Sequence, residues 1–112
     1  MEGSNIGTSS LRREIQLKII RPDLKINIIR GNIQTRIKKV LNGSYDATLL
    51  AMAGLKRLEI KDKANPLNIN DFIPAVGQGI IALQTRKNDE ETIAIVKKVN
   101  HAKTYAQAQV ER

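Results

Sequence analysis

Short apolar runs alternate with longer stretches of helical periodicity along this chain of 112 residues. The β-branched run at residues 26–29 comes just before a stretch in which Ile33, Ile37, Val40 and Leu41 recur at helical spacing. Such alternation is typical of strand–helix units, which pack as a parallel sheet covered by helices. The fold class that we expect is therefore α/β, with a mainly parallel sheet flanked by helices.

Polar and glycine residues mark the ends of the predicted elements. Ser9 or Ser10 can cap a helix that continues to about Ile20, and Asn32 can cap a second helix that stops at Asn42-Gly43. The other predicted helices cover residues 53–58, 90–99 and 102–111, with Ile93, Val96 and Val99 of the second of these turned inward. Strands are predicted at residues 5–6, 25–30, 45–51 and 80–83, and a loop at residues 59–72.

Positive charge is concentrated in the first half of the chain. The formal net charge is +8, and residues 1–58 hold 11 Lys and Arg against 4 Asp and Glu. The remaining residues hold 8 against 7, so the first half should attract anions. There is no cysteine and a single histidine, His101, which excludes disulfides and ordinary zinc sites within this sequence. Apolar runs are too short to span a bilayer, and a cytoplasmic location is expected.

Basic residues lie at the openings of two predicted helices, each directly after a predicted strand. The two openings read Gly7-Thr8-Ser9-Ser10-Leu11-Arg12-Arg13 and Arg30-Gly31-Asn32-Ile33-Gln34-Thr35-Arg36. A helix N-terminus favours anions, and carboxyl ends of parallel strands meet at one edge of a sheet. A third basic group, around Arg57, is expected at the same edge. The sequence therefore predicts a basin that holds several carboxylates.

Other interpretations of the same residues stay open at this point. The Thr-Ser-Ser run can simply cap a helix, and Lys38-Lys39 and Lys97-Lys98 read as ordinary helix surface. The basic half also suits a nucleic-acid-binding α/β module, although only three aromatic residues are present. A third possibility is a domain that binds a small dicarboxylate. Asp46, at the start of a predicted strand with no second carboxylate nearby, reads as structural.

Six motifs in order resemble the porphobilinogen deaminase (hydroxymethylbilane synthase) family over residues 6–112. Besides the two basic openings, they are Arg21-Pro22-Asp23-Leu24, Tyr45-Asp46-Ala47, Ala51-Met52-Ala53-Gly54-Leu55-Lys56-Arg57-Leu58 and Pro74-Ala75-Val76-Gly77-Gln78-Gly79. The resemblance implies a protein of three α/β domains, of which the first two are like periplasmic binding proteins. It identifies residues 6–82 with the second domain. Residues 83–112 match the return toward the first domain and the linker toward the third. Separately from the resemblance, we expect residues 1–6 to hold an added leader and the start of the first strand.

The resemblance also implies an activity. The family enzyme is a cytoplasmic, monomeric transferase of tetrapyrrole and heme biosynthesis. It joins four porphobilinogen molecules into hydroxymethylbilane, with release of ammonia, on a dipyrromethane cofactor held by a cysteine. The expected partners are porphobilinogen and linear pyrrole intermediates, with no nucleic acid and no membrane.

The same resemblance assigns roles to individual residues. Cofactor-binding residues would be Thr8, Ser9, Ser10, Arg12 and Arg13. Substrate-binding residues would be Arg30, Asn32, Arg36, Arg57 and Gln78. The family's catalytic aspartate lies in the first domain and its cofactor cysteine in the third. We therefore expect no catalytic residue and no metal site in this sequence, and no activity from the isolated chain.

Overall fold

A computed structural model of the chain describes residues 1–60 and 64–111, which form two compact units, Met1–Asn68 and Ile69–Arg112. The first unit contains, in chain order, β1 (Asn5–Gly7), α1 (Leu11–Ile20), β2 (Lys25–Asn27), α2 (Ile33–Leu41), β3 (Ala47–Thr48) and α3 (Met52–Arg57). The second contains α4 (Glu90–Lys97) and α5 (Ala102–Glu111).

The three strands of the first unit form one parallel sheet in the order β2-β1-β3. Ile6 on the central strand pairs with Ile26 on β2 and with Ala47 on β3. Each strand is followed by a helix, so the predicted α/β class with a parallel sheet is confirmed. All three strands point the same way, and the turns into α1, α2 and α3 therefore follow the same edge of the sheet.

A small apolar core holds this sheet. Its buried side chains are Ile6, Leu24, Ile29 and Leu55. Ile29 has no exposed surface, although it lies two residues beyond the end of β2. The turn that follows β2 is therefore anchored in the core by its own side chain, which fixes the start of the next helix.

Side-chain caps start the first two helices as the sequence predicts. The Ser10 hydroxyl accepts the N–H of Arg13 at 3.4 Å, and the amide oxygen of Asn32 accepts the N–H of Thr35 at 2.9 Å. Asp46 has the structural role expected of it, because its carboxylate accepts the N–H of Asn5 at 2.6 Å.

The predicted strand at residues 80–83 is wrong. The structure places no strand at residues 69–89, and Ile81 and Leu83 are 83% and 61% exposed. A strand needs a neighbour for its backbone N–H and C=O groups, and none is available in the described part of the second unit. The apolar run alone could not reveal this lack of a partner.

Other boundaries move by a few residues. The strand predicted at 25–30 ends at Asn27, and the one predicted at 45–51 contracts to Ala47–Thr48. Val99 was expected to face inward from a helix, but it lies beyond the end of α4 and is 70% exposed. Within the predicted loop at 59–72, residues 61–63 lie outside the described residues, and the others form no helix or strand.

Candidate functional site

A cavity of about 300 Å³ lies where β1 and β2 lead into their helices. Its wall is made by side chains from the first basic turn and by one arginine of α2. They are Thr8, Ser9, Ser10, Arg12, Arg13 and Arg36. The described lining contains no carboxylate and no histidine, so this cavity offers hydrogen-bond donors and positive charge rather than an acid–base pair.

The turn between β1 and α1 is held by its own hydroxyl groups. Thr8, which is buried, accepts the N–H of Ser10 at 3.2 Å, and the Ser9 hydroxyl donates to the carbonyl of Ile29 at 2.5 Å. These bonds orient the start of α1 at the cavity, and a helix start carries a partial positive charge. The hydroxyl hydrogen of Ser9 is therefore already used within the protein.

Arg13 is held in the wall of the cavity by burial and by a hydrogen bond to the backbone. It is half-buried, and its Nη1 donates to the carbonyl of Leu49 at 2.9 Å. Burial lowers the pKa of its guanidinium, and the nearby charges of Arg12 and Arg36 lower that pKa further. The causes of this shift are burial and two neighbouring cations, so Arg13 lies in a partly buried, positively charged surrounding.

A second cavity of about 290 Å³ shares Arg13 and Arg36 with the first. The remaining lining comes from the start of α2 and from the segment that follows β3. These residues are Gly31, Asn32, Ile33, Leu49, Leu50 and Ala51. Its wall therefore joins a cationic, amide-bearing part with an apolar part.

Arg36 belongs to both cavities and is held by the turn before its helix. Its Nε donates to the carbonyl of Gly31 at 2.8 Å, which leaves the terminal guanidinium nitrogens for a ligand. Asn32 is similarly fixed, because its amide oxygen accepts both the N–H and the hydroxyl of Thr35 at 2.9 Å. The donors of Asn32 are then its two amide hydrogens.

The structure brings together seven of the ten residues that the sequence marked. All five expected cofactor residues line the first cavity, Asn32 lines the second, and Arg36 lines both. Arg30 and Arg57 are exposed and line neither cavity. Gln78 lies in the second unit, exposed, in a turn whose flanking Gly77 and Gly79 have φ angles of +65° and +98°. The roles of all ten in binding stay predictions.

Sequence reasoning missed the apolar wall and two donors behind it. Leu49, Leu50 and Ala51 were read as the end of a strand, although a position at the carboxyl end of a strand was itself a signal for the site edge. Lys39 was read as helix surface, but its Nζ donates to the carbonyl of Arg30 at 3.2 Å. The Tyr45 hydroxyl likewise donates to the carbonyl of Ile28 at 2.8 Å.

The arrangement suits a ligand with more than one carboxylate. Three guanidiniums lie around the first cavity, and guanidinium binds carboxylate through two parallel hydrogen bonds. The described residues contain no group of three or more metal-binding side chains. Fold and site together define an α/β domain with a cluster of cationic hydrogen-bond donors at the carboxyl edge of its sheet.

Comparison with known proteins identifies the family. The family model described as "Porphobilinogen deaminase, dipyromethane cofactor binding domain" matches residues 1–94. The chain belongs to the porphobilinogen deaminase family. It is 47% identical over 111 residues to a porphobilinogen deaminase of Nitrobacter hamburgensis and 49% identical over 115 residues to one of Streptococcus sanguinis. These alignments cover 98% and 99% of this chain.

The coverage of the relatives is much smaller. The chain spans 35% of the Nitrobacter hamburgensis protein and 38% of the Streptococcus sanguinis protein. A porphobilinogen deaminase of Orientia tsutsugamushi gives the same result, with 47% identity over 98% of this chain and 38% of the relative. Across the described residues, no helix combines the length and the apolar character needed to cross a membrane.

Proposed function

We propose that this chain is the carboxylate-binding part of a hydroxymethylbilane synthase, the transferase that joins four porphobilinogen molecules and releases ammonia at each step. In this proposal, residues 6–82 act as the second domain of that enzyme, and residues 83–112 connect it to the other two. The enzyme works as a monomer in the cytoplasm and supplies tetrapyrrole and heme biosynthesis. Its partners are porphobilinogen and the linear pyrrole chain, without nucleic acid or membrane.

One observation carries the proposal. Arg12, Arg13 and Arg36 surround a cavity of about 300 Å³, and the pKa of Arg13 is lowered by burial and by its two cationic neighbours. Like charges held close together in a partly buried site disfavour each other unless an anion lies between them. Each pyrrole unit of the substrate carries an acetate and a propionate, so a growing pyrrole chain provides that anion.

The donors of the first cavity fit the carboxylates of a dipyrromethane cofactor. Arg12 and Arg13 would bind carboxylate through their guanidiniums, with Thr8 and Ser10 beside them. Ser9 would contribute through its backbone N–H, since its hydroxyl hydrogen goes to Ile29. The cofactor supplies the primer to which pyrrole units are added. Its covalent attachment needs a thiol, and this sequence contains no cysteine, so another part of the enzyme would hold it.

The second cavity suits the incoming pyrrole. Its apolar wall of Ile33, Leu49, Leu50 and Ala51 can cover a ring, while Arg36 and the Asn32 amide can bind the ring's carboxylates. Arg30 and Arg57 lie outside both cavities, and their proposed part is to bind the carboxylates of a longer chain. Gln78 is proposed to face the cleft of the whole enzyme near its hinge.

The experiment is a segment exchange. This 112-residue sequence replaces the matching segment of the Streptococcus sanguinis relative, and the resulting chimaera is compared with the isolated chain. We expect the chimaera to carry the mass of a dipyrromethane and to form hydroxymethylbilane from porphobilinogen. The isolated chain should form none, because it lacks the proton-transfer group and the primer on which positioning acts.

Two results would contradict the proposal. One is a folded chimaera that carries no cofactor mass and no activity, and the other is product formation by the rigorously purified isolated chain. The same material separates the other functions left open by the sequence. A nucleic-acid-binding module would bind DNA or RNA with a steep dependence on salt. A dicarboxylate-binding domain would bind one small acid tightly without any other domain.

A further inference from the structure

Four successive carbonyl groups between β2 and α2 each accept a hydrogen bond from a side chain. The donors are the hydroxyl of Tyr45 to Ile28 at 2.8 Å, the hydroxyl of Ser9 to Ile29 at 2.5 Å, Nζ of Lys39 to Arg30 at 3.2 Å and Nε of Arg36 to Gly31 at 2.8 Å. We refer to residues 28–31 as the pinned turn. It carries the chain from the end of the sheet to Asn32, and both Asn32 and Gly31, the last residue of the turn, line the second cavity.

The pinned turn begins where β2 stops, because Asn27 pairs with Gly7, the last residue of β1. Beyond that residue the carbonyls are bonded to side chains rather than to a neighbouring strand. The donors come from three separate places in the first unit, namely the turn after β1, the residues before β3 and helix α2. The four hydrogen bonds tie the turn to all three of these places, and they satisfy backbone carbonyls that the sheet no longer pairs.

Two of the four donors belong to neither cavity. Tyr45 and Lys39 line no part of the two cavities, whereas Ser9 and Arg36 do. Tyr45 is half-buried and packs beside Gly7 on the central strand, since a β-carbon on Gly7 would stand 3.0 Å from its Cδ1 atom. The ring of Tyr45 is therefore held against β1, and its hydroxyl donates to the pinned turn from that position.

We propose that Tyr45 and Lys39 are positioning residues, which hold the pinned turn so that the donors of the second cavity are in place before the ligand binds. This inference rests on the proposed function. Asn32 directly follows the pinned turn, and Arg36 donates a hydrogen bond to the carbonyl of Gly31, the last residue of that turn. A shift of the turn therefore moves the Asn32 amide and the Arg36 guanidinium together. Donors that are already in place spare the ligand the cost of ordering them.

The test uses the segment-exchange chimaera, which is a complete enzyme. Tyr45→Phe removes one hydroxyl and no charge, and Lys39→Met removes one donor and one charge. Lys38→Met is the matched control, because it removes the same charge from the neighbouring, exposed position of α2. Lys39→Arg is the conservative variant, which keeps a donor for the Arg30 carbonyl.

A hydrogen bond of this kind changes binding by about 2- to 10-fold. We therefore expect Tyr45→Phe and Lys39→Met each to raise KM for porphobilinogen by about that factor, with a smaller change in kcat. The double variant should raise KM further, while Lys39→Arg should stay close to the unsubstituted chimaera. Thermal midpoints measured beside the kinetics show whether folding has changed, and a loss of stability alone would leave KM unaltered.

The outcomes separate this inference from the function on which it rests. A folded, unsubstituted chimaera without activity overturns the proposed function. An active chimaera whose KM ignores Tyr45→Phe and Lys39→Met overturns the positioning role alone. An equal rise of KM in Lys38→Met also overturns it, because the effect would then come from net charge. If the double variant fails to fold, the two single variants decide.

Discussion

A β-carbon on Gly7 would stand 2.9 Å from the Cδ1 atom of Ile29, a separation that real side chains essentially never show. Gly7 ends the central strand, and Ile29 is the one side chain among the described residues that is large and fully buried. The missing side chain of Gly7 therefore lets the pinned turn pack directly over β1. Because of this close approach, the Ser9 hydroxyl donates to the carbonyl oxygen of Ile29 at 2.5 Å, and this hydrogen bond links the two basic turns.

Gly7→Ala should destabilise the first unit. The added methyl group meets Ile29 and Tyr45 at about 3 Å, and overpacking of this kind costs roughly 1–3 kcal/mol. Chemical denaturation monitored by circular dichroism measures the loss. Adding Ile29→Val, which removes the Cδ1 atom, should restore part of the lost stability. Equal stability of the Gly7→Ala variant and the unsubstituted chain would show that there is room for a methyl group between Gly7 and the side chains of Ile29 and Tyr45.

Arg36→Leu should damage ligand binding far more than folding. The substitution removes a guanidinium that lines both cavities. In the proposed function this group binds a carboxylate, and a contact worth about 1.5–3 kcal/mol in a partly desolvated site corresponds to binding roughly 10- to 100-fold tighter. Folding loses only the bond to Gly31, about 1 kcal/mol. The defect should grow as the pyrrole chain lengthens, because each unit brings two more carboxylates.

The measurement is porphobilinogen turnover and thermal midpoint in the segment-exchange chimaera, with Lys38→Leu as a control of equal charge. Lys38 is exposed on the same helix and lines neither cavity. A variant of Arg36 that melts many degrees lower yet elongates normally would mean that this arginine is structural.

Arg13→Leu tests the crowding of positive charge. The pKa of Arg13 is lowered because burial and the charges of Arg12 and Arg36 disfavour its charged form. Salt screens such repulsion, so the thermal midpoint of the unsubstituted chain should rise between about 0.01 M and 0.3 M sodium chloride. The rise should be smaller in Arg13→Leu than in Lys38→Leu, although both lose one charge. If the thermal midpoint rises equally with salt in the two variants, repulsion among Arg12, Arg13 and Arg36 does not destabilise the fold.

Helix α4 should weaken in acid because of its cap. Asp89 accepts the N–H of Thr92 at 3.0 Å, and this bond together with the Thr92 hydroxyl lowers the pKa of the Asp89 carboxyl. A lowered pKa stabilises the folded state above the unfolded value of about 3.9, and that stability is lost as the pH falls through the folded value. Asp89→Asn keeps a capping oxygen without the titration.

The comparison is helical circular dichroism from about pH 6 down to about pH 2, since the unfolded value near 3.9 lies inside that window. The unsubstituted chain should lose more signal than Asp89→Asn over this range. Asp23→Asn serves as a second reference, because Arg21 and the N–H of Gly3 lower the pKa of that carboxyl at a different place in the fold. Identical curves for the unsubstituted chain and Asp89→Asn would show that protonation of Asp89 does not cause the loss of helix in acid.

Local chemistry in the sequence determined the class of the fold and the start of its helices. Ser10 and Asn32 cap α1 and α2 through hydrogen bonds to residues three positions further along the chain. Because the bonded residues are so close in sequence, these caps depend on the local sequence and hardly on tertiary packing. The turns that follow parallel strands lie at one edge of a sheet, and this rule was enough to predict that Arg12, Arg13 and Arg36 lie around one cavity. The same motifs carried the resemblance to the family.

Only the tertiary structure decided where the strands end and what supports the site. The strand predicted at 80–83 fails because strand formation depends on a neighbour, which no property of the run itself supplies. The pinned turn depends on Tyr45, which lies 17 positions from Ile28 in the chain, and on Ser9, 20 positions from Ile29. Hydrogen bonds at such separations form only once packing has brought the segments together. For that reason a sequence pattern could mark the arginines of the basin but not the tyrosine and lysine behind them.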